Sequence, residues 1–158
     1  QEKVDLTMKS NSDQRIMKIA LIEAERGLNR GDYPCGCIIV KSDKIVAKSR
    51  SQEGGKHDPT AHAEISAIRK ASRKKDSLKG SILYTTVEPC LMCAKAMVYA
   101  GISKVIYGCP HGEYGKTRTF YILKKNKLGK IIVKGGVEKK EAIALLNEWK
   151  SISAVKKP

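Results

Sequence analysis

An α/β layer fold is what the sequence predicts, and three observations carry that reading. Runs of β-type residues alternate with helix-period segments along most of the chain. A strand, a Pro-led helix and a second strand follow one another between Ser81 and Tyr107. No repeat, low-complexity tract or Gly/Ser linker divides the 158 residues, a length that suits one domain with a sizeable core. Such alternation lays helices over a mostly parallel sheet, and the strand–helix–strand succession implies a right-handed parallel crossover.

Taken in order, residues 1–10 read as a loose leader and residues 11–158 as a single domain. The segment 12–29 places Ile16, Ile19, Ala20, Ile22, Ala24 and Leu28 at helical spacing, with Ser12 or Asp13 as the cap and Gly31 just past the end. Residues 37–40 and 45–48 are β-like runs around Lys41-Ser42-Asp43-Lys44 and predict a hairpin. The stretch 51–59 reads as a polar loop, turning at Gly54-Gly55 and Asp58-Pro59. A helix is expected from about Thr60 to Arg73, followed by a strand over 81–86. Pro89 suits the first turn of the next helix, where a missing N–H loses nothing, and Gly101 ends it. A strand over 104–107, a short helix over 119–124, a strand over 131–133 and an amphipathic helix over 138–151 complete the chain.

Composition bounds the partners. The chain is 41% hydrophobic and 30% charged, ordinary for a globular protein, and no apolar run approaches the roughly 20 residues of a membrane span. Residues 1–13 are polar and charged with no secretory pattern, so a cytoplasmic enzyme is expected. Thirty-one Lys and Arg against sixteen Asp and Glu leave a net charge of +15. That field favours an anionic partner, with tRNA or other nucleic acid foremost; a Lys-rich solvated surface is the plainer reading. Aromatic residues make up only 5%, too few to imply a base-stacking platform. Five cysteines, an odd number, disfavour a complete disulfide framework.

The chemistry gathers in two short motifs, His62-Ala63-Glu64 and Pro89-Cys90-Leu91-Met92-Cys93, each opening an expected helix. Two thiolates and an imidazole suit zinc, and three protein ligands leave a fourth position for water. Zinc lowers the pKa of bound water from 15.7 to about 7, and helix N-termini favour thiolate. Glu64, two residues beyond His62, turns to another side of the helix, where a proton shuttle belongs. A structural zinc built from Cys35 or Cys37 with Cys90 and Cys93 is the competing arrangement, and it leaves His62-Ala63-Glu64 unexplained. Cys35, Cys37 and Cys109 read instead as buried thiols.

The pairing H-x-E…P-C-x-x-C is the signature of zinc base deaminases. The runs Asp58-Pro59-Thr60-Ala61-His62-Ala63-Glu64-Ile65 and Leu83-Tyr84-Thr85-Thr86-Val87-Glu88-Pro89-Cys90-Leu91-Met92-Cys93 resemble the cytidine deaminase superfamily. The likeness is to its branch of tRNA adenosine deaminases, guanine deaminases and small cytosine deaminases, from the first helix to Trp149. It implies a three-layer α/β/α fold around a mixed five-stranded sheet, a homodimer, a Zn2+ cofactor held by His62, Cys90 and Cys93, and Glu64 as acid/base.

Substrate signals conflict. Cys35 and Cys37 stand where tRNA adenosine deaminases read Val and Ala. Residues 96–108 are similar to small cytosine deaminases, while 136–149 resemble the last helix of the tRNA enzymes. Ser51 lies eleven residues before His62, where related enzymes place an Asn that helps hold the base. The candidate substrate contacts are Ser51, Ala63, Glu88, His111 and Tyr114. His57 reads as an exposed loop histidine, and Phe120 and Trp149 as core. The leading expectation is hydrolytic removal of an exocyclic amine from a free nucleobase or nucleoside, cytosine-like or guanine-like. Adenosine-to-inosine editing of tRNA is the alternative, and a catalytically silent RNA-binding partner the third, against which the intact Glu64 argues.

Overall fold

The computed structural model describes residues 9–74, 77–111 and 119–155. The elements run α1 (Lys9–Leu28), β1 (Gly36–Lys41), β2 (Lys44–Arg50), α2 (Glu53–Lys56), α3 (Ala63–Ser72), β3 (Ile82–Val87), α4 (Leu91–Ala100), β4 (Lys104–Cys109), α5 (Thr119–Lys125), β5 (Ile132–Lys134) and α6 (Lys139–Val155). The strands form one mixed sheet in the order β2-β1-β3-β4-β5. β1 pairs antiparallel with both β2 and β3, whereas β3, β4 and β5 pair in parallel. β1 alone therefore runs against the other four strands.

Strand alternation divides the core in two. Cys37, Ile39, Leu83 and Val105 pack with Ala63, Ala67 and Ala71 of α3 and Met97 of α4. Ile38, Val40, Tyr84 and Ile106 pack with Ile16, Met17 and Ala20 of α1 on the opposite face. Helices thus cover both faces, the three-layer α/β/α arrangement expected from the resemblance. No helix among the described residues is long and apolar enough to cross a membrane.

Several local differences from the sequence reading have physical causes. α1 opens at Lys9, so residues 9 and 10 of the expected leader are helical, and residues 1–8 lie outside the described residues. Asp13 does not cap it; its carboxylate accepts from the Tyr84 hydroxyl at 2.9 Å and from Lys134 Nζ at 2.6 Å. The expected loop after β2 contains the short helix α2, because Asp32 Oδ1 accepts the N–H groups of Gly54 and Gly55 at 2.9 and 3.2 Å. α3 opens at Ala63 rather than Thr60: Asp58 Oδ1 accepts both the N–H and the hydroxyl of Thr60, holding a turn just before the helix. Pro89, for its part, precedes the Cys90 N-cap of α4 instead of sitting in the first turn.

Gly36 is required by packing. A Cβ there would lie 1.8 Å from the Ala20 carbonyl oxygen and 2.7 Å from the Ala24 nitrogen of α1. Gly36→Ala therefore has to push a whole helix off the sheet. It is expected to lower stability by about 3 kcal/mol, which for a domain of this size is a melting-point drop of roughly 6–12 °C, measurable by circular dichroism.

Candidate active site

Two helix starts meet at the ends of the central strands. His62 is the N-cap residue of α3 and Cys90 that of α4, both with extended backbone, and Cys93 lies in the first turn of α4. Strand β3 ends at Val87, so Glu88 and Pro89 turn the chain directly into that cap. The His62 imidazole turns Nδ1 toward both thiols, 3.6 Å from Cys90 Sγ and 3.4 Å from Cys93 Sγ. One ligand atom from each of His62, Cys90 and Cys93 falls within 4.8 Å of the others, the sole such trio among the described residues. A nitrogen and two sulfurs at that spacing suit a tetrahedral zinc with one open position. Cys35 and Cys37 do not join the trio, so the structural-zinc alternative is not assembled.

The two ligand thiols differ: the hydrogen bond to Cys90, burial and the nearby Glu64 push the Cys93 thiol up, so it keeps its proton in the metal-free chain. The Cys93 thiol donates to Cys90, which, with His62 beside it, draws the Cys90 thiol down to about 5, so that it is a thiolate at neutral pH. Burial pushes Cys109 up to about 11, and burial also raises Cys35 and Cys37, leaving these three as inert thiols.

Glu64 sits in the first turn of α3, only 4% exposed. Its Oε1 accepts from the Thr85 hydroxyl at 3.1 Å, and its Oε2 lies 3.6 Å from Cys93 Sγ. Burial raises its carboxyl above the ordinary range, so it can hold a proton as well as accept one. Thr85 lies in the run that leads to Cys90, yet nothing in the sequence marks it as a site residue. Two adjacent buried Thr, Thr85 and Thr86, in one strand signal hydroxyls that need partners, and Thr85 also meets Cys35 Sγ at 3.4 Å.

A cavity of about 320 Å³ opens over this cluster, lined by Ser51, Ala63, Glu88 and His111 as well as His62, Glu64 and Cys90. Four of the five candidate substrate contacts thus share one cavity with the trio; Tyr114 lies outside the described residues. Glu88 accepts from the His111 N–H at 3.4 Å, joining the ends of β3 and β4. His57 is exposed, as expected, and Phe120 packs against the core. Trp149 departs from its expected core position: it lines the cavity, its ring edge-on to Tyr33 with centroids 5.1 Å apart. α6 brings it there, and that placement depends on tertiary packing rather than on helical period.

Glu53 also escapes a reading of the sequence, because its segment looks like a polar loop. The Ser51 hydroxyl donates to Glu53 Oε1 at 2.9 Å, and the same oxygen lies 3.7 Å from His62 Nε2. At the position where the resemblance leads to the expectation of an Asn, this chain has a hydroxyl hydrogen-bonded to a carboxylate.

Fold and cluster together define a metal centre with a buried carboxylate beside it. Comparison with known proteins gives the family. The model of the cytidine and deoxycytidylate deaminase zinc-binding region matches residues 10–109, and the chain belongs to that family. A tRNA-specific adenosine deaminase of Aquifex aeolicus (strain VF5) is 39% identical over 137 residues, covering 85% of this chain and 91% of its own. A solved structure from studies of A-to-I editing by tRNA:A34 deaminases superposes with a TM-score of 0.76 at 32% identity, covering 84% of this chain and 99% of that one. A guanine deaminase from Nitrosomonas europaea shares the fold, with a TM-score of 0.75 at 22% identity over 87% of this chain and 84% of its own. Zinc is the cofactor this family and this donor set call for.

Proposed function

We propose that the chain is a zinc-dependent tRNA adenosine deaminase, converting adenosine at the wobble position to inosine and releasing ammonia. The observation that carries this reading is the kinship, along most of both chains, with tRNA-specific adenosine deaminases. It displaces the expectation of a free cytosine-like or guanine-like base, for which the guanine deaminase likeness supports the fold alone. The high positive charge, +15 over the whole chain, favours an RNA substrate over a free base.

In this reading His62, Cys90 and Cys93 hold the zinc. When bound, zinc supplies the Lewis acid that makes water a nucleophile at neutral pH. The rest falls to the chain's own groups. Glu64 takes one proton from the attacking water and passes it to the ring nitrogen; it then takes the second from the hydroxyl newly bonded to the ring carbon and gives it to the amine, which leaves as ammonia as the carbon–oxygen double bond forms. Thr85 fixes the carboxylate by its hydrogen bond to Oε1. Tyr33, Val87 and Trp149 wall the cavity and keep bulk water from the reacting atoms. Ser51, Ala63, Glu88 and His111 are positioned to orient the base. The enzyme works in the cytoplasm as a homodimer, and α4 presents Leu91, Met92 and Tyr99 to solvent as apolar surface for a second copy.

Glu53 Oε1 lies 3.7 Å from His62 Nε2, where a small closure would let it orient the ring with Nδ1 toward the thiols. Losing a carboxylate that orients a ligating histidine typically lowers metal affinity about 10- to 100-fold. Glu53→Ala is expected to fall in that range in a chelator competition.

The substrate test is direct. Zinc-loaded protein is incubated separately with a tRNA anticodon stem-loop, adenosine, cytosine, guanine and their nucleosides, and ammonia and product bases are measured. Inosine formed in the stem-loop, without turnover of the free bases, supports the reading. Turnover confined to cytosine or guanine returns the function to the free-base class.

A further inference from the structure

The cavity over His62 is not the largest on the molecule. A groove of about 710 Å³ runs along β2, with α3 as its other wall. Among the described residues, eight basic side chains line it against two carboxylates, Glu23 and Asp58, and no aromatic side chain faces it. Glu23 is already engaged, 2.7 Å from Arg26 and 3.7 Å from Arg50. Asp58 accepts two hydrogen bonds from Thr60. Among the described residues, no carboxylate comes within 4.0 Å of Lys48, Lys56, Arg69, Lys70, Arg73 or Lys74. Lys70 and Lys74 donate to the carbonyls of Lys48 and Val46 on the outer edge of β2, which fixes their ammonium groups along the groove without neutralising them.

Fold stability does not require this arrangement. The C-terminal end of α3 welcomes cations through the helix dipole. Yet Arg69, Lys70, Arg73 and Lys74 crowd four cations into the last turn of α3 and the turn just after it, and Arg69 with the C-cap Arg73 is a like-charge pair four residues apart, a spacing that is destabilising. Lys48 and Arg50 then add charge from the facing strand. Such a row recognises a row of anions.

Its position indicates which anions. The segment between β2 and α3 borders both spaces: Ser51, Glu53 and His62 line the deaminase cavity, and Gln52, Lys56, Asp58 and Ala61 line the groove. A strand whose base occupies the cavity continues across that segment onto the basic row. We propose that this groove binds the phosphodiester backbone of the RNA whose base is deaminated next door. The inference rests on the tRNA reading above and adds a location to it. With no aromatic side chain to stack on among the described residues, the groove reads phosphates rather than sequence.

The test compares two charge reversals of equal size in the zinc-loaded protein: Arg69→Glu with Arg73→Glu in the groove, and Arg15→Glu with Lys18→Glu on the exposed face of α1, across the sheet. A fluorescently labelled anticodon stem-loop is titrated by anisotropy at salt concentrations from about 50 to about 200 mM, and zinc content and circular dichroism confirm that both variants are folded. Lys48→Glu, on the strand wall, gives a second approach to the same surface. The groove variants are expected to bind at least about tenfold more weakly, with a salt slope shallower by about 1 for each phosphate no longer neutralised, and the α1 variant to change much less. Equal weakening in all variants, or none in the groove variants, overturns the proposal. So does normal RNA binding by the groove variants with loss only of binding to an acidic peptide. If the wild type forms inosine in the stem-loop while the groove variants bind normally, the groove alone fails. If the wild type forms none, the tRNA reading fails first.

Discussion

Glu64→Gln is expected to lower the deamination rate by about 100- to 10,000-fold while leaving zinc bound. The amide keeps the size of the carboxylate and can still accept from Thr85, so the cavity is preserved and proton transfer is lost. The same change is expected to make the metal-free protein more stable above the carboxylate range. Burial raises the Glu64 carboxyl, so the folded chain holds that proton more tightly than the unfolded chain. Wild-type stability therefore falls as pH rises from the unfolded value through the raised folded one. The Gln variant has no charge to bury and escapes that loss. Urea midpoints of the two metal-free proteins should converge near pH 4 and separate by about pH 8, with the variant higher. Equal kcat in variant and wild type would remove Glu64 from the mechanism.

The second large effect is expected at Cys93. Its side chain is fully buried, with Sγ 3.4 Å from His62 Nδ1 and 3.6 Å from Glu64 Oε2. Cys93→Ser should lower zinc affinity more than about 100-fold, exceeding the loss typical of a group that merely orients a ligand. Deamination should disappear with the metal. A linked observation separates metal loss from misfolding. Bound zinc stabilises the folded chain by mass action, so a chelator should lower the wild-type melting temperature and leave the Cys93→Ser value unmoved. Stoichiometric zinc in the dialysed variant would show that Cys93 is not a ligand.

The metal centre is legible in the sequence because its parts are local. His62 with Glu64, and Cys90 with Cys93, are each spaced within one helical turn, and the residues that start those helices lie beside them in sequence. The layered fold is legible for the same reason, since strand alternation and helical period are short-range patterns. What stays hidden depends on distant partners. Helix α2 forms because Asp32, 22 residues before Gly54, accepts its N–H groups. Thr85 becomes a site residue only when α3 brings Glu64 beside β3, and Trp149 only when α6 carries it to Tyr33. Glu53 is hidden by a segment whose Gly-rich composition speaks for a loop. The substrate is the least legible property, since Ser51 breaks the expected Asn and nothing nearby in sequence announces that Glu53 backs it.

The two ways in which residues reach the cavity carry an evolutionary consequence. Glu64 is held by a hydroxyl from the central sheet, and Cys93 is fixed within a buried helix turn, so the reactive geometry is inherited with the core. Ser51 and Glu53 ride on the connection between β2 and α3, which also borders the basic groove. Drift in that connection can retarget the enzyme from one amino-bearing base to another without disturbing proton transfer.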